Sequence, residues 1–292
     1  MVSIITVNYN GWQDTCELIA SLKQHETYPY EVIVVDNASA GDDAERIRAA
    51  HPEAKVVRSD VNLGFAGGNN LGYRYAKGDC IFFLNNDMVV KEAVLQPLVR
   101  QLEVPGVGAL SPCIRLYRHP EAMQYCGYQD MTPITLRHTT RRYEHWRAET
   151  FLRPFVTEVM HGAAMLVRRD VIERVGTMTE VYFLFYEEFD WSRRIREAGF
   201  AIWCVPGVSV YHKESMSIPL QTPFREYHIA RSRMIYARRN NRGVVRLLSC
   251  GYLLGIALPK RVCGYLARGR WSLINAVLRG TWKGLFFKTT MR

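Results

Sequence analysis

Two short acidic stretches carry the residue types that could do chemistry. The first is Asn85-Asn86-Asp87, which follows Ile81-Phe82-Phe83-Leu84. The pattern reads as a buried strand over 80–84 that delivers a carboxylate at its C-terminal tip. In open α/β sheets, ligands sit just outside the carboxyl ends of strands. A carboxylate there is placed to hold a divalent cation against a diphosphate. The plainer alternative is that Asp87 caps a helix expected over 91–102. The second stretch is 182–195, where an aromatic run leads into Glu187, Glu188 and Asp190 and then a helix to Gly199. Carboxylates favour helix N-termini on electrostatic grounds alone. Three of them, with another acidic strand tip at Asp87, suggest an acid/base centre. His212 ends the apolar run 208–211 and suits a metal ligand, although a lone histidine can equally be structural.

The 292 residues suffice for one large α/β domain with an appendage, or for two small domains. With 48% apolar residues the composition is globular, which argues against disorder. The seven cysteines are odd in number, form no CxxC and lie largely in apolar runs. They read as reduced core thiols of a cytosolic protein, not as a disulfide frame or zinc site. Residues 2–7 already read as a strand with no basic leader before it, so no signal peptide is expected. Charge is unevenly spread. Residues 225–292 hold 15 Lys and Arg against one acid, Glu226, leaving 23 Lys and Arg against 27 Asp and Glu in the first 224. The whole excess of +10 therefore comes from the last quarter. Such a tail suits nucleic acid, anionic lipid or a polyanionic substrate.

Positioning the acidic stretches falls to alternating strands and helices over 1–90. Strands are expected over 3–7, 31–35, 55–58 and 80–84. A helix follows each of the first three. One has Asp14-x-x-Glu17 as a capping box. One covers 42–50, and one is entered through the glycine-rich 62–72 and runs to Lys77. Uninterrupted apolar strands alternating with helices argue for a mostly parallel sheet covered on both faces. The glycine-rich entry matches neither the dinucleotide fingerprint nor a P-loop. Its glycines could expose N–H groups to an anion, or serve tight helix–sheet packing. Further strands are expected over 107–110, 114–117, 157–167, 201–205 and 208–211, with a helix over 170–175 and a loop or flap over 137–147. The small residues Gly162-Ala163-Ala164 interrupt 157–167 and would let a ligand pass close by.

Together these pieces resemble glycosyltransferase family 2, the inverting enzymes of GT-A fold, and most of all its rhamnosyltransferase-like branch acting on bacterial surface glycans. The resemblance rests on Thr6-Val7-Asn8-Tyr9-Asn10, Val34-Val35-Asp36-Asn37-Ala38-Ser39, the glycine-rich stretch from Asn62, Leu84-Asn85-Asn86-Asp87, Gly162-Ala163-Ala164-Met165, Glu187-Glu188-x-Asp190-Trp191 and Val210-Tyr211-His212. They keep the family's order and spacing over about residues 1–240. The resemblance implies a Rossmann-like α/β domain over 1–224, with a mostly parallel sheet and helices on both faces. Its nucleotide-sugar half would be 1–110 and its acceptor and catalytic half 111–224. It implies that Thr6, Asn8, Asn10, Asp36, Asn62, Gly67, Asn85, Asn86, Gly162 and Ala163 bind the nucleotide sugar. Asp36 would meet the nucleobase, where a carboxylate accepts the N3–H of uracil or thymine alike. Asp87 matches the last acid of the family's DXD-type motif, and His212 a position that completes the metal site. Mg²⁺ or Mn²⁺ is the implied cofactor. Asn85 and Asn86 depart from the pattern, since they replace its first acid, and fewer charges mean weaker metal binding. Glu188 stands where the family usually has an Asp base. Being one methylene longer, it leaves the base open among Glu188, Glu187 and Asp190.

The implied reaction is a direct displacement that inverts the anomeric centre. The donor is a nucleotide diphosphate sugar, dTDP-L-rhamnose favoured, and the acceptor a lipid-linked or growing surface polysaccharide. The rivals are a UDP-hexose or UDP-N-acetylhexosamine transferase of the same fold and, given the depleted Asn85-Asn86-Asp87, a non-catalytic nucleotide-sugar-binding subunit. Residues 225–292 are expected to form a basic helical extension. Its first helix, from about Pro223, carries Arg231, Arg233, Arg238 and Arg239, which could meet the diphosphate or simply face solvent. Residues 247–258 are apolar but too short to span a bilayer. Trp271, Ile274, Leu278, Trp282 and Leu285 recur at helical spacing among Arg270, Arg279, Lys283 and Lys288. That suits an interfacial helix on an anionic membrane surface, or a helix packed on the catalytic domain. No nucleic-acid motif appears, so nucleic acid is not an expected partner. The expected location is cytoplasmic, peripheral on the inner face of the cell membrane.

Overall fold

The computed structural model describes residues 1–138, 153–214 and 221–288. Among these, ten strands form one sheet. β1 (Val2–Asn8), β2 (Tyr30–Asn37), β3 (Lys55–Ser59) and β4 (Cys80–Leu84) are parallel, in the spatial order β3-β2-β1-β4. Beyond β4 lies β9 (Ala164–Arg168), antiparallel both to β4 and to β6 (Val107–Leu116). β10 (Ala201–His212) then runs parallel to β6. The long strands other than β9 therefore point one way. Short antiparallel pieces finish the sheet: β5 (Met88–Val89) and β8 (Phe155–Thr157) on β10, and β7 (Met123–Tyr125) on β6.

Successive side chains of a strand face opposite sides, and here both sides are covered. Val2, Ile4, Val34, Phe82 and Leu84 share one core with Leu18, Ile47 and Leu98. These come from α1 (Trp12–His25), α2 (Asp43–Ala50) and α4 (Leu95–Leu102). Ile5, Ile33, Ile81 and Phe83 share the other with Ala66, Ile172, Trp191 and Ile195. Those come from α3 (Gly64–Tyr73), α5 (Arg169–Val175) and α6 (Glu187–Glu197). This is the mostly parallel, doubly covered sheet that the apolar runs require.

Several elements differ from expectation, each for a physical reason. The helix expected over 91–102 starts at Leu95, and the N–H groups of Val94 and Leu95 donate to Glu26 Oε1 at 2.6 and 3.1 Å. Glu26, not Asp87, satisfies that helix end. Asp14 and Glu17 form no capping box. Both carboxylates hold Lys213 Nζ, Asp14 at 2.7 Å, which pins the end of β10 to α1. The run 157–167 splits between β8 and β9, which have different partners. The runs 201–205 and 208–211 are one strand with a register shift between Val205 and Ser209. The flap read at 137–147 lies, apart from its first two residues, outside the described residues.

The glycine-rich entry to α3 serves packing. Gly64 takes φ +71°, and a Cβ there would collide with the Phe183 carbonyl. A Cβ on Gly72 would collide with Ile5. The N–H groups of Leu63, Gly64 and Phe65 already donate to Asn37 Oδ1, Asn62 Oδ1 and the Phe183 carbonyl at 2.9, 2.9 and 2.8 Å. They are committed to the protein and do not form an anion cradle.

The C-terminal helices begin inside the body. α7 (Pro223–Asn240) is capped by Thr222, whose hydroxyl accepts from Arg225 N at 3.3 Å. Its Met234, Ile235, Tyr236 and Ala237 share a core with Tyr182 and Phe189. One continuous helix of 24 residues follows, α8 (Gly243–Leu266), with a π-helical turn at Leu253–Ala257. By length and composition alone it is long and apolar enough to cross a membrane, which the twelve-residue apolar stretch in the sequence did not suggest. α9 (Trp271–Leu285) returns to pack on α7, where Gly280 and Gly284 let the backbones approach the carbonyls of Tyr227 and Arg231.

Gly72→Ala should destabilise the fold by about 1–3 kcal/mol through overpacking against Ile5 and Val35. Gly251→Ala, on α8 with open space around the added methyl, should stabilise it by up to about 1 kcal/mol. Thermal melts of the two variants should move in opposite directions; movement in the same direction would refute the packing role of Gly72.

Candidate functional site

The tips of β1, β2 and β4 converge where the strand order reverses, with β1 in the middle. Asn8 ties them together. Its Nδ2 lies 3.0 Å from Asp36 Oδ1, 3.1 Å from Ser39 Oγ and 3.0 Å from Asp43 Oδ2. Its Oδ1 accepts from Thr15 Oγ1 at 2.9 Å, and Thr15 accepts from Asn86 Nδ2 at 3.1 Å. Ser39 Oγ also donates to Asp36 Oδ1. The hydrogen bonds on Asp36 thus fall on one oxygen. The other, Oδ2, is buried with no hydrogen bond among the described residues and has Arg58 Nε 3.6 Å away. Leaving such an atom unpaired costs about 1–3 kcal/mol or more, so it suits a donor brought by a ligand.

A cavity of about 490 Å³ opens at these tips. Asn37, Asn62, Asn85 and Asn86 line it on the sheet side, and Phe65, Phe183 and Phe224 on the other. Asn62 Oδ1 accepts from Asn37 Nδ2 at 3.1 Å, which fixes both amides. Asn10 adopts a left-handed φ of 55° and staples two loops. Its N–H donates to Ser39 Oγ at 2.9 Å, and its Oδ1 accepts from Ala40 N at 2.8 Å. Asn8 is fully buried and so acts on Asp36 rather than on a ligand. Thr6 and Asp36 are also fully buried, and Gly67 packs inside α3 against Leu63; none of the three lines the cavity. The aromatic run 182–186 was legible, but its pairing with His228 and Phe224 at the cavity was not. Phe183 and His228 stack at 4.9 Å between centroids, and Phe224 lies 4.4 Å from the same imidazole.

Asn85 N donates to the Ala163 carbonyl at 3.0 Å, so the tip of β4 leans on the corner Gly162–Ala163. Asp87 meets His212 at the end of β10, with Oδ1 3.0 Å from Nε2. Gln124, which sequence reasoning missed, orients the ring. Its Nε2 donates to Glu214 Oε1 at 2.9 Å, leaving its Oε1 to accept from His212 Nδ1 at 2.7 Å. The Nε2 then faces the carboxylate. Two lone pairs do not sit stably 3.0 Å apart, so the gap suits a proton or a cation. Among the described residues no group of three His, Cys, Asp or Glu could hold a metal. The Asp87–His212 pair fits a cation whose other ligands come from a bound diphosphate.

Across the same corner stands Glu188. A Cβ on Gly162 would lie 3.9 Å from the Glu188 carboxyl carbon and 3.7 Å from the Phe65 ring. Asn85 and Glu188 therefore both approach the corner Gly162–Ala163. Burial pushes the Glu188 carboxyl up to about 7. Glu187 is more deeply buried, and its Oε1 has no hydrogen bond among the described residues. Burial, and then the charge of Glu188, raise its carboxyl well above the usual carboxylate range. Asp190 is placed differently. It is fully buried and accepts from Tyr182 Oη at 2.9 Å, Arg194 Nε at 3.1 Å, Arg239 Nε at 3.1 Å and Asn240 Nδ2 at 3.0 Å. It anchors α7, and its four donors set it apart from Glu187 and Glu188. His161, also missed, packs its ring on Tyr125 and Tyr128, and its Nδ1 accepts from Ala163 N at 3.1 Å. Burial, then His212 and His138, hold it down to about 3, so it stays neutral.

The aromatic run before α6 is not a strand. Phe183, Phe185 and Tyr186 take φ of 69°, 67° and 80°. Left-handed backbone at such residues costs about 1–3 kcal/mol each and persists only where the surroundings hold it. Here Arg231 donates to the carbonyls of Val181 and Tyr182 at 3.0 and 2.9 Å, and Ser232 Oγ to Leu184 at 2.8 Å. Arg233 holds the Thr135 carbonyl, and Arg238 holds Gly284 and Phe287. With Arg239 on Asp190, the four arginines that might have met a diphosphate brace the protein instead.

The sequence pattern of glycosyl transferase family 2 matches residues 3–176, which include Asp36, Asp87 and Gly162 and stop short of Glu188. The low-salt glycan biosynthesis hexosyltransferase Agl10 of Haloferax volcanii is 24% identical, over 97% of this chain and 92% of its own. The N-acetylglucosaminyl-diphospho-decaprenol L-rhamnosyltransferase of Mycobacterium tuberculosis is 24% identical, over 74% of this chain and 77% of its own. Among solved structures, the mannosyltransferase PcManGT from Pyrobaculum calidifontis, in complex with GDP-Man and Mn²⁺, is similar with a TM-score of 0.58 at 19% identity. That match covers 99% of this chain and 88% of that one. The likeness is one of fold and bears out the GT-A arrangement.

Glu187 binds its proton more tightly folded than unfolded. Its burial therefore costs nothing at low pH, where both states are protonated, and costs more as pH rises through the carboxylate range. Glu187→Gln should raise Tm at pH 8 and barely change it at pH 4. Asp190→Asn should lower Tm at pH 8, by about 3–5 kcal/mol of stability, because two guanidinium groups lose their counter-charge. A lower Tm for Glu187→Gln at pH 8 would contradict the burial cost.

Proposed function

The chain belongs to glycosyl transferase family 2, and from that membership we propose an inverting, metal-dependent transfer of a sugar from a nucleotide diphosphate to a hydroxyl. One observation carries the reading: the corner Gly162–Ala163 meets Glu188 on one residue and the tip of β4 on the other, where Asn85 N donates to the Ala163 carbonyl two residues before Asp87. Asp36 Oδ2 accepts one N–H of the nucleobase, and Asn85 and Asn86 line the space for the rest of the donor. Glu188, with a proton affinity near neutrality, takes the proton of the acceptor hydroxyl as its oxygen attacks the anomeric carbon. The new C–O bond forms as the bond to the diphosphate breaks on the opposite face, so configuration inverts. Held by Asp87 and His212, a divalent cation would neutralise charge gathering on the leaving diphosphate.

The favoured donor is dTDP-L-rhamnose, and the acceptor a lipid-linked or growing surface glycan. Support comes from the mycobacterial relative, named for L-rhamnosyl transfer to a decaprenol-linked sugar. The second reading, transfer from UDP-hexose or UDP-N-acetylhexosamine, is favoured by the hexosyltransferase that matches nearly the whole chain.

A thermal-shift screen tests the donor and the cation together. Mn²⁺ alone should hardly move Tm, because only two side chains greet it, whereas Mn²⁺ with dTDP-L-rhamnose should raise it clearly. Asp87→Ala should remove the Mn²⁺-dependent part of that rise. Larger shifts with UDP-sugars would select the second reading. For the base, the rate should climb through pH of about 7 as Glu188 ionises. Glu188→Gln should abolish that climb and lower kcat by about 10²–10⁴-fold with donor affinity nearly unchanged. Full activity in Glu188→Gln would remove it from the mechanism.

A further inference from the structure

Large exposed apolar side chains are concentrated in the last two helices. Leu247 is 71% exposed, Trp271 69% and Trp282 63%, with Leu248, Ile256 and Phe286 beside them in the chain. Residues 225–292 are rich in cations, and their one acid, Glu226 of α7, is buried against Arg261 and Tyr265. Both parts of α8 are tied down. Asn241 Nδ2 donates to Ser249 Oγ at 3.0 Å near its start, and Arg261 bonds Glu226 of α7 near its end. Since α7 belongs to the catalytic body, α8 lies along that body and does not carry its two ends to opposite sides of a bilayer. Its outer face is bare: only 11% of its most apolar stretch is buried. α9 divides in the same way. Leu273, Ile274 and Val277 turn inward, while Trp271, Leu278, Trp282 and Phe286 stay exposed. The stripe expected from spacing was therefore half right, since Ile274 packs inside.

We propose that the outer face of α8 and α9 docks on an anionic lipid bilayer, lying in the headgroup plane. Tryptophan and leucine framed by Lys and Arg match that boundary, where apolar and anionic chemistry meet. A second copy of the chain fits less well, because it would bring like charges such as Arg279 and Lys283 against themselves. The docking face also reaches the catalytic crevice. Arg270, next to Trp271, bonds Gln221, and the following Thr222 and Phe224 line the cavity. Lipid at Trp271 would thus adjoin the cavity rim, and on the transferase reading a lipid-linked acceptor held in that bilayer would lie near the bound donor.

The test sediments the full chain with vesicles of phosphatidylcholine, or of phosphatidylcholine mixed equally with phosphatidylglycerol. Binding to the mixed vesicles should be at least about tenfold tighter, and should weaken with salt. Leu247→Glu combined with Trp282→Glu should lower it about tenfold or more at unchanged Tm. Arg279→Gln with Lys283→Gln, which spares the apolar face, should reduce the preference for the anionic vesicles. Equal binding to both vesicle types would overturn the proposal, as would undiminished binding by both double variants. So would a dimer in solution that the glutamate variant dissociates while vesicles fail to bind, since the face would then belong to a second copy. Vesicle binding is read without donor or turnover. Its failure leaves the transferase reading intact, and an inactive protein that still binds anionic vesicles leaves the docking intact.

Discussion

The backbone at Phe183, Phe185 and Tyr186 is the constraint on which the catalytic corner depends. Three left-handed residues within four positions would relax in isolation. They do not, because α7 holds the carbonyls around them through Arg231 and Ser232, while Phe65 N donates to the Phe183 carbonyl from α3. The segment sets the direction in which α6 leaves, and with it the direction of Glu188. Asp190, one turn further on, closes the bracket by meeting Arg239 and Asn240 of the same α7. A helix that composition places in the basic tail is thus the part that aims Glu188, the proposed base. The arginines that make it basic are spent on carbonyls and one buried carboxylate.

What could be read from the sequence follows from which contacts are local. The strands at 80–84 and 31–35 were legible because burial on both faces leaves an unbroken apolar run, and Asp36 and Asp87 were legible because each ends such a run. The reversal of β9 was not, since a strand covered on both faces looks the same in either direction. Long-range partners were hidden as well. Glu26 capping α4, Gln124 orienting His212 and Lys213 clamping Asp14 each join residues 68 or more positions apart. Neighbouring acids gave no clue that Glu188 faces the corner while Asp190 faces away. On a helix, positions two apart point to different sides, and here those sides are a crevice and a core. The glycines were ambiguous for a related reason. A residue without a Cβ serves an anion or a close-packed neighbour equally well, and only Ile5 and Phe183, brought up from distant segments, decide it for Gly72 and Gly64.

The crevice gathers Asp36, Asp87, Glu187 and Glu188 at a place meant, on the proposed reading, for a dianionic diphosphate. Four free charges would repel it. Each is handled differently. Asp36 is tied to Asn8 and Ser39 with Arg58 at hand, and Asp87 faces His212. Burial keeps the proton on Glu187, and Glu188 stays close to neutrality. Asn85 and Asn86, where relatives of this family usually bring another acid, remove one more negative charge from the path. The same economy leaves the cation short of ligands, because a carboxylate and an imidazole fill only part of its coordination shell. On the proposed reading, phosphate oxygens of the donor would complete the shell, and donor and cation would then bind as a unit.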